Sequence, residues 1–347
     1  VTAWGFIRLK VKTYFEPAKS VQNSRRSHTV SKGKFSKGTR NLVALLVACG
    51  LLALTFTYPS ASVVRESYRA LIVLDVTQSM NTLDHSLNGK PASRLEFAKR
   101  SLSRALLDLP CGSEVGLGIF TEYRALLLLT PVETCANYQE LSETLREVNG
   151  SMAWAGGSEI AKGLNTGFRL ARALDPSPVL IFISDGHEAP PLHPQHRPRF
   201  DDERVPGAIV GVGALNLSPI PKFGPDGKPL GFWSAEEVLQ TDTYSLGRGG
   251  TGEGMVDSEG KPIAKQKSSG TEHLSSLKEP YLVQLATETG MSYRRLDTLA
   301  GLAEAIKAPA FARKAATESD LRWVLAALAL AALGYSPLKR FRRTSNT

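Results

Sequence analysis

Cysteine is scarce in this chain: there are three among 347 residues, and because Cys49 lies inside an apolar stretch, Cys111 and Cys135 are the one pair left to consider as a disulfide. A phosphate-binding loop is missing too. The glycine run GRGGTGEG (Gly247–Gly254) is closed by no Gly-Lys-Ser/Thr and follows no clear strand, which leaves it as a linker. No internal repeat is present. Basic residues are few where a nucleic-acid surface would need them. Of the net charge of +9, residues 1–40 supply +9 and residues 336–347 supply +4, leaving −4 for residues 41–335. A mildly acidic centre carries no electrostatic footprint for DNA or RNA. Apolar residues, in contrast, are plentiful: at 42% hydrophobic the chain has ample core, and disorder throughout is excluded.

Each basic end is separated from the centre by an apolar segment. Asn41–Pro59 (NLVALLVACGLLALTFTYP) has no charge between Leu42 and Tyr58, and Trp323–Gly334 (WVLAALALAALG) has only apolar side chains. A helix apolar on every face is either buried or in lipid. For the first segment three readings stand: an uncleaved anchor, a signal peptide cleaved after Ser60-Ala61-Ser62, or a core helix. The second, taken as Leu321–Leu338, has Trp323 and Tyr335 near its edges and KRFRR beyond, an anchor pattern. Both basic flanks lie outside these segments. The positive-inside rule therefore expects cytoplasmic tails at 1–40 and 339–347, membrane helices at 41–59 and 321–338, and residues 60–310 as a domain in the periplasm of a bacterial inner-membrane protein. Val1 is consistent with a GTG start or an over-extended reading frame, so residues 1–35 carry no argument.

An exported domain would lie in an oxidising compartment. The segment EVGLGIFTEYRALLLLTPVET reads as two strands around a turn at Glu122-Tyr123-Arg124, and Cys111 and Cys135 are each twelve residues from Tyr123. Residues equidistant from a hairpin turn face each other within reach of a disulfide, and an oxidising compartment favours the bond. Two free buried thiols are the alternative.

The central region alternates strand and helix. Tyr68–Leu74 and Val179–Ser184 read as buried strands and Ala208–Val212 as a further strand, with an edge strand at Met291–Leu296. Ser93–Leu109 opens on a capping box, Ser93-x-x-Glu96, and repeats apolar residues at helical spacing. Further helices are expected at Asn137–Val148, Glu159–Leu174, Pro280–Thr289 and Thr298–Lys307. This order predicts an α/β fold: a doubly wound, mainly parallel sheet covered on both faces, with one antiparallel edge hairpin. The stretch 214–279 reads as an irregular insertion.

Chemistry concentrates where strands end. The first buried strand runs into Asp75-Val76-Thr77-Gln78-Ser79-Met80, with a carboxylate and two hydroxyls at alternating positions. In open α/β sheets ligands gather at the carboxyl ends of strands. Gly156-Gly157-Ser158 precedes a helix, and Asp185-Gly186 ends VLIFIS. Such hard oxygens suit Mg²⁺, Ca²⁺ or Mn²⁺. No nucleophile–base pair accompanies them, which argues against an enzyme, although a metal-dependent hydrolase is a third reading.

The set resembles the von Willebrand factor A family, whose metal-ion-dependent adhesion site is Asp-x-Ser-x-Ser on the first strand, a Thr on a second loop and an Asp on a third. Asp75, Thr77 and Ser79 match the first, Ser158 the second and Asp185 the third, with Thr77 replacing Ser and Ser158 replacing Thr. The resemblance implies that Thr77, Ser79 and Ser158 touch a divalent cation directly, that Asp75 and Asp185 act largely through water, and that a partner's carboxylate fills the open position. The stretches DVTQSMNTLD, LPCGSEVGLGIFTEYRALLLLTPVETCANYQEL, MAWAGGSEIAKGL and SDGHEAPPLHPQHRPRF look like the MxaL-type proteins encoded with bacterial methanol dehydrogenase. That likeness implies a membrane-anchored accessory protein assisting assembly or calcium loading of that enzyme. The alternative is an aerotolerance or stress-type membrane protein of the same family that works with an ATPase. His187, His193 and His196, close after Asp185, are either a second metal site or part of a surface loop.

Overall fold

An unbroken apolar strand at the centre of a sheet needs burial on both faces, and two such runs, ALIVL and VLIFIS, become neighbouring central strands in the computed structural model. The residues described are 37–57, 60–190, 198–200, 204–224, 227–238 and 270–344. The chain divides into two units, residues 1–59 with 321–347, and residues 60–320.

The first elements in chain order are α1 (Lys37–Thr55), β1 (Ser60–Ser67), β2 (Arg69–Asp75), β3 (His85–Leu87), β4 (Lys90–Ala92), α2 (Arg94–Asp108), β5 (Glu114–Thr121) and β6 (Arg124–Glu133). There follow α3 (Tyr138–Glu147), α4 (Ile160–Arg172), β7 (Val179–Ser184), β8 (Gly207–Gly211), β9 (Ser218–Pro219), β10 (Pro221–Phe223), β11 (Pro229–Phe232) and β12 (Leu274–Ser275). The last are α5 (Glu279–Thr289), β13 (Ser292–Arg295), α6 (Gly301–Ile306), β14 (Arg313–Asp320) and α7 (Arg322–Thr344).

The main sheet has the order β13-β8-β7-β2-β5-β6, parallel except for the β5–β6 hairpin at one edge. This is the expected doubly wound sheet with its antiparallel edge. One face is covered by α2, α3 and α6, through Leu102, Leu141 and Leu302 among others; the other is covered by α4 and α5, through Leu164 and Leu282. Helix α4 reaches the sheet closely because Gly163 faces Phe120, whose ring a Cβ would meet at 2.0 Å. The Ser93 hydroxyl accepts the Glu96 N–H at 3.1 Å, so α2 starts where its cap predicts.

Cys111 and Cys135 form a disulfide, with Cα atoms 5.3 Å apart. The turn is the pair Glu122-Tyr123, and two bulges shift the register between Val115 and Gly118, so simple counting from the turn is close but not exact in register. The pattern of apolar runs gave no sign of the β1–β14 ribbon. It pairs Ser60 with Asp320 through Ser67 with Arg313, and carries the domain unit past residue 310. Its sequences, SASVVRES and RKAATESD, have little apolar content to read.

The expected membrane helices need correction. Among the described residues no helix is long and apolar enough to cross a membrane. Helix α1 starts at Lys37 and stops at Thr55, so its uncharged part beyond Asn41 spans ~21 Å at the α-helical rise, and the uncharged part of α7, Trp323–Leu338, spans ~24 Å, against the ~30 Å of a hydrocarbon core. The two helices pack on each other, with Ala48 and Ala329 buried and leucines such as Leu46 and Leu330 left exposed.

Candidate metal centre

Strands β2 and β7 are parallel neighbours, so their carboxyl ends deliver Asp75 and Asp185 side by side at one end of the sheet. Both carboxylates are fully buried. Asp75 Oδ1 accepts the Thr77 N–H at 2.9 Å and the Thr77 hydroxyl at 2.6 Å, and its Oδ2 accepts the Ser184 hydroxyl at 2.7 Å. The chain then makes one short 3₁₀ turn, Gln78–Asn81, anchored by buried Met80. That turn brings the Ser79 hydroxyl to 3.4 Å from that of Thr77. With its proton given to Asp75, the Thr77 oxygen has lone pairs free for a cation.

Ser158 is pinned from two sides. Its N–H donates to the Ala189 carbonyl at 2.9 Å, the Ala189 N–H returns to the Ser158 carbonyl at 3.2 Å, and the next N–H, of Glu159, reaches the Glu122 carbonyl at 2.6 Å. Gly157 permits this approach, since a Cβ there would lie 3.2 Å from the Ala189 oxygen. The Ser158 hydroxyl is buried and has no hydrogen-bond partner among the described residues. Buried polar groups are rarely left so. It shares a cleft of about 310 Å³ with Thr77 and Ser79.

The two carboxylates differ in their counter-charge. Arg94, wholly inaccessible to solvent, places its guanidinium 2.5 Å from Asp185 Oδ2 and 2.7 Å from Asp84 Oδ2, and also donates to the Ser275 hydroxyl at 2.6 Å and the Ser275 carbonyl at 3.2 Å. Asp185 Oδ1 accepts the His187 N–H at 2.9 Å. Burial alone would raise the Asp185 pKa; the Arg94 charge and the surrounding donors outweigh it and hold the carboxyl below its ordinary range. Asp75 faces only neutral donors. Burial first, and the neighbouring Asp185 charge second, push it up to about 7 against the pull of Thr77 and Ser184.

The insertion forms the other wall. Strands β9 and β12 pair, and Leu277 N–H closes on the Ala214 carbonyl at 2.8 Å, which brings Ile220, Trp233, Glu237 and Glu272 to the cleft. Its described part is therefore structured, and the glycine run 247–254 lies outside the described residues. His187 is buried in this wall, with Nε2 3.7 Å from Glu272 and neither ring nitrogen hydrogen-bonded among the described residues. Burial lowers its pKa from the ordinary histidine value. His193 and His196 lie outside the described residues, so the three-histidine site finds one member in the cleft wall.

Thr77, Ser79 and Ser158 thus line one cleft, with Asp75 and Asp185 directly behind. Sequence reasoning missed Arg94, Asp84, Ser184 and Ser275. One signal was available for Arg94: a cation in the first turn of a helix opposes the helix dipole and needs a reason to be there.

A mainly parallel sheet with oxygen side chains gathered at its carboxyl end defines the class as a doubly wound α/β domain. Residues 70–187 match the family model described as von Willebrand factor type A domain. Among solved structures, an aerotolerance-related membrane protein from Bacteroides fragilis is similar at 21% identity over 69% of this chain and 96% of its own, with a TM-score of 0.45. BatB from Bacteroides thetaiotaomicron is similar at 20% identity over 69% of this chain and 97% of its own, with a TM-score of 0.44. A membrane spanning protein from Vibrio fischeri shares 20% identity over 69% of this chain and 94% of its own, with a TM-score of 0.26. No curated protein matches the chain. None of these matches carries the likeness to the MxaL-type proteins.

Proposed function

We propose that the domain is a cation-dependent protein-binding module. The observation that supports this reading most is the Ser158 hydroxyl, buried without a partner beside the hydroxyls of Thr77 and Ser79 and in front of a carboxylate, Asp75, that no cationic side chain compensates. The residues fit a hard divalent ion, Mg²⁺ or Ca²⁺. Thr77, Ser79 and Ser158 would hold it directly, while Asp75 and Asp185, each occupied by protein donors, supply charge from behind. The ion would supply an open position for a client's carboxylate. The cleft also holds His187 and the carboxylates of Glu237 and Glu272, but the Ser158 hydroxyl and both His187 ring nitrogens have no hydrogen-bond partner among the described residues, so Ser158 is paired with no base, which supports docking over hydrolysis.

The disulfide supports an exported, oxidising location for this module. The exposed leucines of α1 and α7, with basic residues at the chain ends, support association with a membrane. The client is defined by its chemistry, a protein with an accessible acidic side chain. Among finer readings, assembly of methanol dehydrogenase rests on the likeness of short stretches alone. The aerotolerance-type reading, a membrane-associated partner of an ATPase, is accordingly the one to test first.

The test is capture of partners by the full chain in Mg²⁺, in Ca²⁺ and in chelator, beside Asp75→Ala. Partners retained in either ion and lost with chelator and with the variant are expected. Identical capture under all four conditions would sink the proposal.

A further inference from the structure

A second surface lies away from the hydroxyl cleft, where the edge strand β6 meets α4. No described strand pairs with the outer edge of β6, and a groove of about 910 Å³ runs between it and α4. Its floor is apolar, from Leu127, Leu170 and Leu174, and its rim is cationic, from Arg124, Lys162 and Arg169. Among the described residues no carboxylate lines it, although residues 41–335 carry a net charge of −4. The cations are only lightly engaged. Lys162 pairs with Glu159, Arg124 lies over the Tyr123 ring and donates to its hydroxyl at 2.8 Å, and Arg169 has no carboxylate within ion-pair distance among the described residues.

We propose that this groove docks an extended acidic segment of a partner protein, laid beside β6. The open edge favours a strand over a helix, since an edge presents main-chain hydrogen-bonding groups that an extended segment can meet. The Ala125 N–H is already taken by the Thr166 hydroxyl of α4 at 2.8 Å, so a docked segment would meet the β6 edge beyond Ala125, next to Leu127 of the apolar floor. A segment alternating acidic and apolar residues would set one kind of side chain on Leu127, Leu170 and Leu174 and the other against the three cations. A nucleic acid fits less well: among the described residues the rim offers three cations and one aromatic ring, Tyr123, which is covered by Arg124, and residues 41–335 are acidic overall.

The groove does not involve the cation cleft, so the test separates the two. The probe is a fluorescein-labelled, end-capped peptide alternating Glu and Val, titrated with the full chain and followed by anisotropy. Binding is expected to weaken at least about tenfold in Arg124→Glu/Arg169→Glu, to weaken comparably when the peptide is N-methylated on alternate residues, and to stand unchanged in chelator. Equal binding by the double variant, equal binding of a Lys/Val peptide, or loss of binding in chelator would each overturn the proposal. So would binding of phosphatidylglycerol vesicles with none of the peptide, which would make the groove a lipid surface.

Discussion

The two arms of the cleft are built from the same residue, an aspartate at the end of a buried parallel strand, and they behave oppositely. On the β7 arm, Asp185 arrives with its counter-charge, Arg94, which is itself shared with Asp84. On the β2 arm, Asp75 arrives with three neutral donors and no cation. Burial is equal, so the difference is electrostatic. One arm is a finished piece of the fold. The other is a carboxyl with no cationic side chain bonded to it among the described residues, which burial keeps partly protonated near neutral pH and which, on the proposed reading, a cation would compensate.

The largest effect should come from breaking the finished arm. Arg94→Met leaves Asp84 and Asp185 buried without the guanidinium they share, and urea denaturation should show a loss of about 3–5 kcal/mol, the range for removing one member of a buried ion pair. Asp75→Asn, on the other arm, should leave stability in chelator equal or higher. If both variants lost the same amount, the two arms would be equivalent and the contrast between them would be gone.

A smaller effect separates the arms by pH. Asp75 has its folded pKa raised to about 7 from 3.8, so in chelator its contribution to stability is fully present below about pH 4 and is lost as pH rises through 7. Asp185 is lowered, so its contribution is present above the ordinary carboxylate range and is lost only on acidification. A bound divalent ion should expel the Asp75 proton. The rise in melting temperature on adding Mg²⁺ should therefore be small at pH 5.5 and larger at pH 8, and Asp75→Asn should flatten that dependence. A rise independent of pH in the unmodified protein would place the cation somewhere other than in front of Asp75.

How much of this was readable in the chain depends on the kind of signal. The runs ALIVL and VLIFIS, the Ser93 cap and the Cys111–Cys135 pair were legible because burial, capping and hairpin geometry act over short separations. The juxtaposition of Thr77, Ser79, Ser158 and Asp185 was legible as a pattern of oxygen side chains at strand ends and a helix start, in order. Arg94 was not, because its partners Asp84 and Ser275 come from a loop ten residues back and an insertion 181 residues on. The β1–β14 ribbon was hidden for the same reason, as its pairing joins the ends of the domain unit. The apolar segments misled in the other direction: hydropathy counted residues up to Tyr58, whereas the helix stops at Thr55.

The smallest effect is the sharpest test of the cleft itself. Ser158→Ala deletes a hydroxyl that has no hydrogen-bond partner among the described residues, so no protein–protein hydrogen bond is lost with it. Removing an unsatisfied buried polar group relieves its desolvation, and the variant should unfold in chelator within about 0.5 kcal/mol of the unmodified protein or slightly later. Its cation affinity, read by calorimetric titration with Mg²⁺, should nonetheless fall about tenfold, in the range seen when one oxygen that holds or orients an ion is removed. Ser158→Thr keeps the hydroxyl and should keep the affinity. Loss of stability in chelator without loss of affinity would show that Ser158 serves the loop between Glu122 and Ala189, and that the ion, if bound, is held by Thr77 and Ser79 without it.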